Sequence, residues 1–332
     1  MQKITASDVA EKAGVSKWTV SRAFTEGAYI SPSARERVLK AAQDLGYRPN
    51  LLARSLTKKR SQIVGLVVDE LDNPNLMTVL NEVTHQLQCQ GYMSMILNIS
   101  GEHSHGSALS LADQFQVDGL IFLGTVLSEE LVRLALEIRH IPLIVMCRYC
   151  ENPGIQVVAT DDIAAGAEIA DVFIGEGYQR IGYMGGPSNS STHLLRFNGF
   201  RDRLNPHGLA VSDVLKAEHF CRENGLAVLR QYLDRTPAQQ RMEALFCEND
   251  VLAIGAMDAL YERGEQGSIA IIGFDGTDQA ASPRYQLSTY RQPLSQLVSE
   301  SIRRLSDDGK SDPDCFLATG QLILRSSHIR TR

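Results

Sequence analysis

Four side chains able to grip a phosphate or a base edge, Lys17, Trp18, Ser21 and Arg22, fall within one short stretch, VSKWTVSRAF. Val20 and Ala23 are its apolar positions, and at 3.6 residues per turn they face inward while the other four face out. An arginine so placed suits a bidentate contact with guanine O6 and N7, worth ~1–3 kcal/mol of discrimination. A second set follows apolar runs: Asp69 and Asn73 come after IVGLVV, and Arg148 after LIVM. In α/β chains the carboxyl ends of strands are where ligands bind. Asn249 and Asp275 each precede a helical stretch, where either residue can serve as a helix cap.

Other chemistry finds less support. Cys147 and Cys150 form a C-x-x-C at the exit of the apolar run Ile141–Met146, without a second pair at zinc-ribbon spacing. A zinc site needs four ligands and a redox pair a thioredoxin-like setting, so neither role is expected. His103 and His105, in GEHSHGS, read as a solvated loop pair, and no metal site is expected. The glycines of MGGP (184–187) open neither G-x-x-x-x-G-K-[ST] nor G-x-G-x-x-G, and tight turning accounts for them. There is no G-x-S-x-G elbow. The expectation is a protein that is not an enzyme and holds no cofactor.

The elements that must carry these residues are well punctuated. Thr5-Ala6-Ser7-Asp8 has the spacing of a capping box, and Val9, Ala10 and Ala13 give the helix behind it an apolar stripe. Gly14 stops that helix, Val15 plugs the gap, and Ser16 caps the helix bearing Lys17–Arg22. Two helices joined by so short a turn make a helix-turn-helix, whose second helix enters the major groove. Ser31 and Pro32 start a third helix, with Val38, Leu39, Ala42 and Leu45 as its expected buried stripe and Gly46 as its stop. After the break Tyr47-Arg48-Pro49-Asn50 comes LLARSLT, too short for a stable isolated helix. It is either a plain linker or a helix that forms only on DNA.

From Gln62 apolar strands alternate with helices. Expected strands are 63–68, 93–97, 120–123 and 143–146, with helices at 76–88 and 129–139. A second series has strands at 155–159, 180–184, 244–246 and 269–274, and helices at 163–174, 194–204, 226–233 and 251–263. Near-continuous apolar strands between helices imply parallel sheets covered on both faces. Two such series imply two doubly wound lobes with a cleft between them.

Composition agrees. The 332 residues are 43% hydrophobic and 22% charged, as in ordinary globular proteins. Residues 1–60 carry twelve Lys and Arg against five Asp and Glu, a net +7, which leaves −13 for the rest out of a total of −6. A basic head on an acidic body fits a polyanion-binding module joined to a sensor. The start MQKITASDVAEKAG offers no apolar signal core, no run approaches a membrane span, and six dispersed cysteines do not suggest a disulfide framework, so a cytoplasmic protein is expected.

The runs DVAEKAGVSKWTVSRAF and ISPSARERVLKAAQDLGYRPNLLARSL resemble the lactose/galactose repressor family of transcription regulators, and the order of motifs continues to the end of the chain. The resemblance implies an N-terminal all-α helix-turn-helix domain (1–48), a hinge helix and linker (49–60), and a periplasmic-binding-protein-like effector-binding and dimerisation domain (61–332). One lobe would comprise about 61–160 and 291–318, the other about 161–290 and 319–332, with the chain crossing between lobes near Thr160, Tyr290 and Thr319. It implies a ligand-responsive repressor, active as a homodimer on a palindromic double-stranded operator, with no membrane partner. The absence of a C-terminal leucine heptad favours a dimer over a tetramer. Its DNA-binding set maps to Thr5, Ser7, Ser16, Lys17, Trp18, Thr19, Ser21, Arg22, Tyr29, Asn50, Ala53 and Leu56. Leu56 matches the leucine that relatives wedge into the minor groove; the alternative is that it packs on the neighbouring domain. Trp18 departs from the family pattern, and contact with a thymine methyl or sugar competes with packing on the first helix. The effector set maps to Asp69, Asn73, Arg148, Thr192, Arg196, Phe220, Asn249 and Asp275, with Thr192 one turn before Arg196 and Phe220 as a stacking aromatic. Such charged and amide groups grip hydroxyls, as a sugar or sugar derivative demands.

Overall fold

The computed structural model describes residues 4–25, 27–48, 60–69, 71, 73–100, 104–123, 133, 141–149, 155–187, 193–306 and 315–331. They belong to two compact units, Met1–Ser61 and Gln62–Arg332.

The head has three helices, α1 (Ala6–Ala13), α2 (Lys17–Ala23) and α3 (Pro32–Leu45). Asp8 closes the start of α1 by accepting from the Thr5 backbone N–H at 2.7 Å and from its hydroxyl at 2.8 Å. Gly14 adopts φ +64, a left-handed turn that a side chain would strain, and Val15 N–H donates back to Ala10 O at 3.0 Å. The Ser16 and Ser31 side chains accept from Thr19 N and Ala34 N, as N-caps do. Val9, Ala10, Ala13, Val20, Ala23, Val38, Ala41 and Ala42 form the core. The expected stripe on α3 is corrected at one position: Leu39 is 44% exposed and Ala41 is buried instead. Val38, Ala41, Ala42 and Leu45 follow the i, i+3, i+4, i+7 rule, whereas Leu39 lies a further 100° round the helix.

The body opens with β1 (Ile63–Val68), α4 (Pro74–Cys89), β2 (Met93–Asn98), α5 (Ser104–Gln114), β3 (Gly119–Phe122), β4 (Leu143–Met146) and β5 (Gln156–Thr160). It continues through α6 (Asp162–Gly175), β6 (Ile181–Gly185), α7 (His193–Leu204), β7 (Val211–Lys216), α8 (Arg222–Arg235), β8 (Ala244–Cys247), α9 (Asp250–Glu262), β9 (Ala270–Asp275) and β10 (Ser288–Arg291). It ends with α10 (Leu294–Ser306), β11 (Cys315–Ala318) and β12 (Gln321–Ile323). Two six-stranded sheets result, ordered β11-β5-β4-β3-β1-β2 and β12-β10-β9-β8-β6-β7. Every pairing is parallel except β10 with β12. Each sheet is covered on both faces, which is why β1, β3, β6 and β8 are buried along their whole length. The chain passes between sheets after Thr160, after Arg291 and between Ala318 and Gln321.

Six elements of the body were not legible: β7, β10, β11, β12, α5 and α10. β7, VSDVLK, is an edge strand whose exposure alternates, so it lacks the apolar run that marked the central strands. α10 is strongly amphipathic, covering the first sheet with Leu297, Val298 and Ile302. His105 lies inside α5, not in a loop. Of the expected helix 129–139 only position 133 is described, so that expectation lies outside the described residues, as do His103 and Cys150.

Helices α6 and α7, which cover one face of the second sheet, approach each other through glycine. An added Cβ at Gly166 on α6 would stand 2.3 Å from Arg196 O, and one at Gly199 on α7 would stand 2.1 Å from Ile163 O. The two backbones touch where these side chains are missing, and the contact fixes the height of Arg196 on α7. Among the described residues no helix is long and apolar enough to cross a membrane, and no cluster of three His, Cys, Asp or Glu could hold a metal ion.

Candidate functional site

The head presents α2 outward. Lys17, Trp18 and Ser21 are exposed, Trp18 at 63%, so its indole is no part of the head's core. Arg22 is half-buried, not fully outward as the spacing suggested. Its guanidinium carbon lies 3.7 Å from the Trp18 ring centre and its Nη1 donates to Tyr29 O at 3.1 Å. Thr19 and Ser16 are joined through their hydroxyls at 3.0 Å beside the cap. Thr5 is exposed at the start of α1, Ser7 is half-buried in the first turn, and the exposed Tyr29 follows α2. Asn50, Ala53 and Leu56 lie outside the described residues.

In the body, Asp69, Asn73, Arg148, Arg196, Phe220, Asn249 and Asp275 converge on one cleft between the two sheets. The space among these residues, together with the open solvent it merges into, is about 550 Å³. Thr192 lies outside the described residues. Asn73 and Asn249 are caps as well as lining groups: their Oδ1 atoms accept from Asn75 N at 3.1 Å and Leu252 N at 2.9 Å. Asp275 is not a cap. It ends β9 at φ +114, and its carboxylate accepts from Gln292 Nε2 at 2.7 Å. Gln292 Oε1 in turn accepts from the Thr160 hydroxyl at 3.0 Å, so one amide links the end of β9 to the end of β5 in the other sheet.

Arg196 is the most constrained group in the cleft. At 3% exposure it donates from Nε to Asp162 Oδ1 at 2.9 Å and from Nη1 to Glu248 O at 2.9 Å. Its guanidinium lies 3.6 Å over the Phe274 ring, which stacks on Tyr290 at 5.2 Å. Tyr290 Oη accepts from Gly320 N at 3.0 Å, so the stack runs from the cleft to the third crossing. Burial would depress the arginine's pKa, but Asp162, Asp275 and Glu248 outweigh it and hold the charge. Phe220 is buried and lies where a Gly186 Cβ would stand, 2.1 Å from its Cε1. Room for that ring, not the tight turn expected, is what Gly186 provides. Gly186 N also donates to Glu248 Oε2 at 2.6 Å.

Gln292, Asp162 and Cys147 were missed as parts of this site. Gln292 follows a crossing that the sequence placed near Tyr290, and crossings border the cleft. Asp162 opens α6, two residues past the end of β5 at the first crossing. Burial pushes the Cys147 thiol up to about 12, so the reactive thiolate is disfavoured.

Burial also raises Asp275 to about 7, against the opposing charge of Arg196, and raises Asp162 and Asp250. An unfolded aspartate ionises near pH 4, while folded Asp275 keeps its proton to about 7. Its contribution is therefore full below about pH 4 and is lost as pH rises to 7. Asp275→Asn keeps the acceptor for Gln292 and removes the titration. Wild type is expected to lose on the order of 2 kcal/mol relative to this variant between about pH 4.5 and 7.5. Denaturant unfolding across that range reads the difference, and parallel profiles would contradict it.

A helix-turn-helix head followed by a two-lobed body with a polar cleft defines a class of regulators that bind DNA and a small ligand. Residues 5–50 match bacterial regulatory proteins of the lacI family, and residues 61–284 match the periplasmic binding proteins and sugar binding domain of the LacI family. The HTH-type transcriptional regulator AscG of Escherichia coli (strain K12) is 31% identical over 98% of both chains. The HTH-type transcriptional repressor PurR of Photobacterium profundum is 27% identical over 97% of this chain and 98% of its own. The crystal structure of the lac repressor dimer bound to operator and the anti-inducer ONPF has the same fold. Its TM-score is 0.88 at 23% identity, covering 99% of this chain and all of that one. The chain belongs to the LacI family of bacterial transcriptional regulators, and is not an enzyme.

Proposed function

We propose that this protein is a cytoplasmic homodimeric repressor whose two heads bind the halves of a palindromic operator, while a sugar or sugar derivative binds between the lobes of each body. Residues 1–48 read DNA, 49–60 form a hinge that folds on the operator with Leu56 as the minor-groove wedge, and 61–332 bind effector and pair the subunits. The lobes comprise about 61–160 with 291–318, and about 161–290 with 319–332. Lys17, Ser21 and Arg22 face the major groove, with Thr5, Ser7, Ser16, Thr19 and Tyr29 flanking it and Asn50 and Ala53 in the hinge. Asp69, Asn73, Arg148, Thr192, Arg196, Phe220, Asn249 and Asp275 form the effector set.

The observation that carries this reading is the convergence of Asp69, Asn73, Arg148, Arg196, Phe220, Asn249 and Asp275 on one cleft. Carboxylates, amides and arginines beside one buried aromatic ring match the donors, acceptors and apolar face of a pyranose. Ligand contacts reaching both lobes favour one angle between them, and the linker leads directly into β1 of the first sheet. Effector and operator affinity are then reciprocally coupled, typically by ~1–3 kcal/mol.

Thermal-shift screening of the full chain against neutral sugars, sugar phosphates and nucleobases tests the ligand. A sugar at about 100 times its Kd should stabilise the fold by ~2.7 kcal/mol, and a response confined to nucleobases would refute the sugar. Salt titration of DNA binding tests the partner: log affinity should fall linearly with log salt. No affinity even at low salt would refute it. Arg22→Ala should relax specificity, whereas Lys58→Ala, in the basic run Lys58-Lys59-Arg60 that follows LLARSLT, should weaken all sequences alike.

A further inference from the structure

Trp18 and Arg22 lie one turn apart on α2, and the guanidinium carbon sits 3.7 Å over the indole centre. Arg22 Nη1 is engaged by the Tyr29 carbonyl at 3.1 Å. The guanidinium is thus held on one face by a ring and at one nitrogen by backbone, which leaves the edge bearing Nε and Nη2 to point away from the Tyr29 contact. Trp18 and Tyr29 remain 63% and 86% exposed, so the head spends no core packing on either ring. An exposed arginine otherwise samples many rotamers, and ordering it on binding costs affinity. Stacking on an aromatic face removes much of that freedom beforehand, and indole is the best of the aromatic faces for a cation.

We propose that Trp18 is a positioning residue, which sets base preference by holding the Arg22 guanidinium in its reading orientation and makes no base contact of its own. This rests on the groove-reading role of α2 proposed above. It also accounts for a bulky indole at a groove-facing position: the ring lies along the helix under Arg22, where it supports the arginine.

The test uses the full-length protein and a randomised palindromic DNA pool, selecting with wild type, Trp18→Ala, Trp18→Phe, Arg22→Ala and the double Ala variant. Arg22→Ala should flatten the preference at one base pair in each half-site, by roughly five- to 150-fold. Trp18→Ala should weaken the preference at that same base pair by roughly two- to fivefold, the effect of a surface cation–π contact. Trp18→Phe should fall between wild type and Trp18→Ala. In the Arg22→Ala background, loss of Trp18 should change nothing further there, because its partner is gone. The salt dependence of non-specific binding should be the same in wild type and the Trp18 variants. Trp18 is the only tryptophan in the chain, so Arg22→Ala should shift the emission of the free protein, a signal no other residue can give.

A Trp18→Ala effect at a different base pair, or one that adds to Arg22→Ala, would overturn the proposal and make Trp18 a reader in its own right, against a thymine methyl. Unchanged emission in Arg22→Ala would also overturn it. Failure of wild type to enrich any sequence would instead remove the groove-reading role itself, and the proposal with it.

Discussion

Arg196→Ala is expected to destabilise the body by about 3–5 kcal/mol, the cost of stranding one partner of a buried ion pair, and to abolish binding of whichever sugar stabilises wild type. Arg196 is 3% exposed, and Asp162, its partner at 2.9 Å, is 4% exposed. Removing the arginine leaves a buried carboxylate whose pKa burial already raises and which Arg196, ahead of Arg148, opposes. It also removes the donor to Glu248 O and empties the face of Phe274. Pairing and ligand binding can be separated. Replacing a buried ion pair with apolar side chains of similar size is often neutral or stabilising, so Asp162→Leu with Arg196→Met should regain most of the lost stability. On the effector role proposed for Arg196, it should not regain ligand binding, since no guanidinium remains in the cleft at that position. Denaturant midpoints measure the first effect and ligand-induced thermal shifts the second. A double variant that binds sugar as wild type does would show that Arg196 is only a structural ion, and an unaltered midpoint for Arg196→Ala would show that the pair carries no stability.

The place of Arg196 in the cleft was legible because the family resemblance maps the effector set onto it; Asp162 was not. Nothing in TDDIAAG distinguishes a buried counter-ion from an ordinary acidic first turn, and only the fold brings α6 against α7. The same division runs through the chain. Caps and stops such as Ser16, Ser31, Gly14 and Gly46 were readable because their chemistry is local, acting within about four residues. Gln292 was not, since its meaning depends on a bond to Asp275 and another to Thr160, which is 132 residues away. Leu39 marks the limit of an apolar pattern: one helical position decides between core and surface. The Trp18–Arg22 stack falls between these cases. Its i, i+4 spacing was visible, but treating each residue as a separate reader hid the pair.

Gly199→Ala should weaken ligand binding, although Gly199 is not among the residues that line the cleft. A methyl there would stand 2.1 Å from Ile163 O and 2.8 Å from Ile163 C and Cα. These are backbone atoms of α6, so no side chain can rotate away, and the helices must part by about an ångström to restore van der Waals distance. Overpacking of this kind typically costs ~1–3 kcal/mol. The functional cost follows from geometry: Arg196 is carried on α7 only three residues before, and Gly166 on α6 faces Arg196 O across the same contact. Parting the helices lifts the guanidinium from Asp162, the carboxylate that holds it, and affinity for the proposed effector should fall roughly tenfold or more. Gly175→Ala provides the opposite sign within the same helix pair. It lies at the end of α6 with nothing within 4 Å of its added Cβ, so alanine there should be neutral or stabilise by up to ~1 kcal/mol through lost unfolded-state freedom. Unfolding midpoints and sugar titrations of the two variants decide the matter. If both alanines behave alike, the glycine contact between α6 and α7 does not set the position of Arg196.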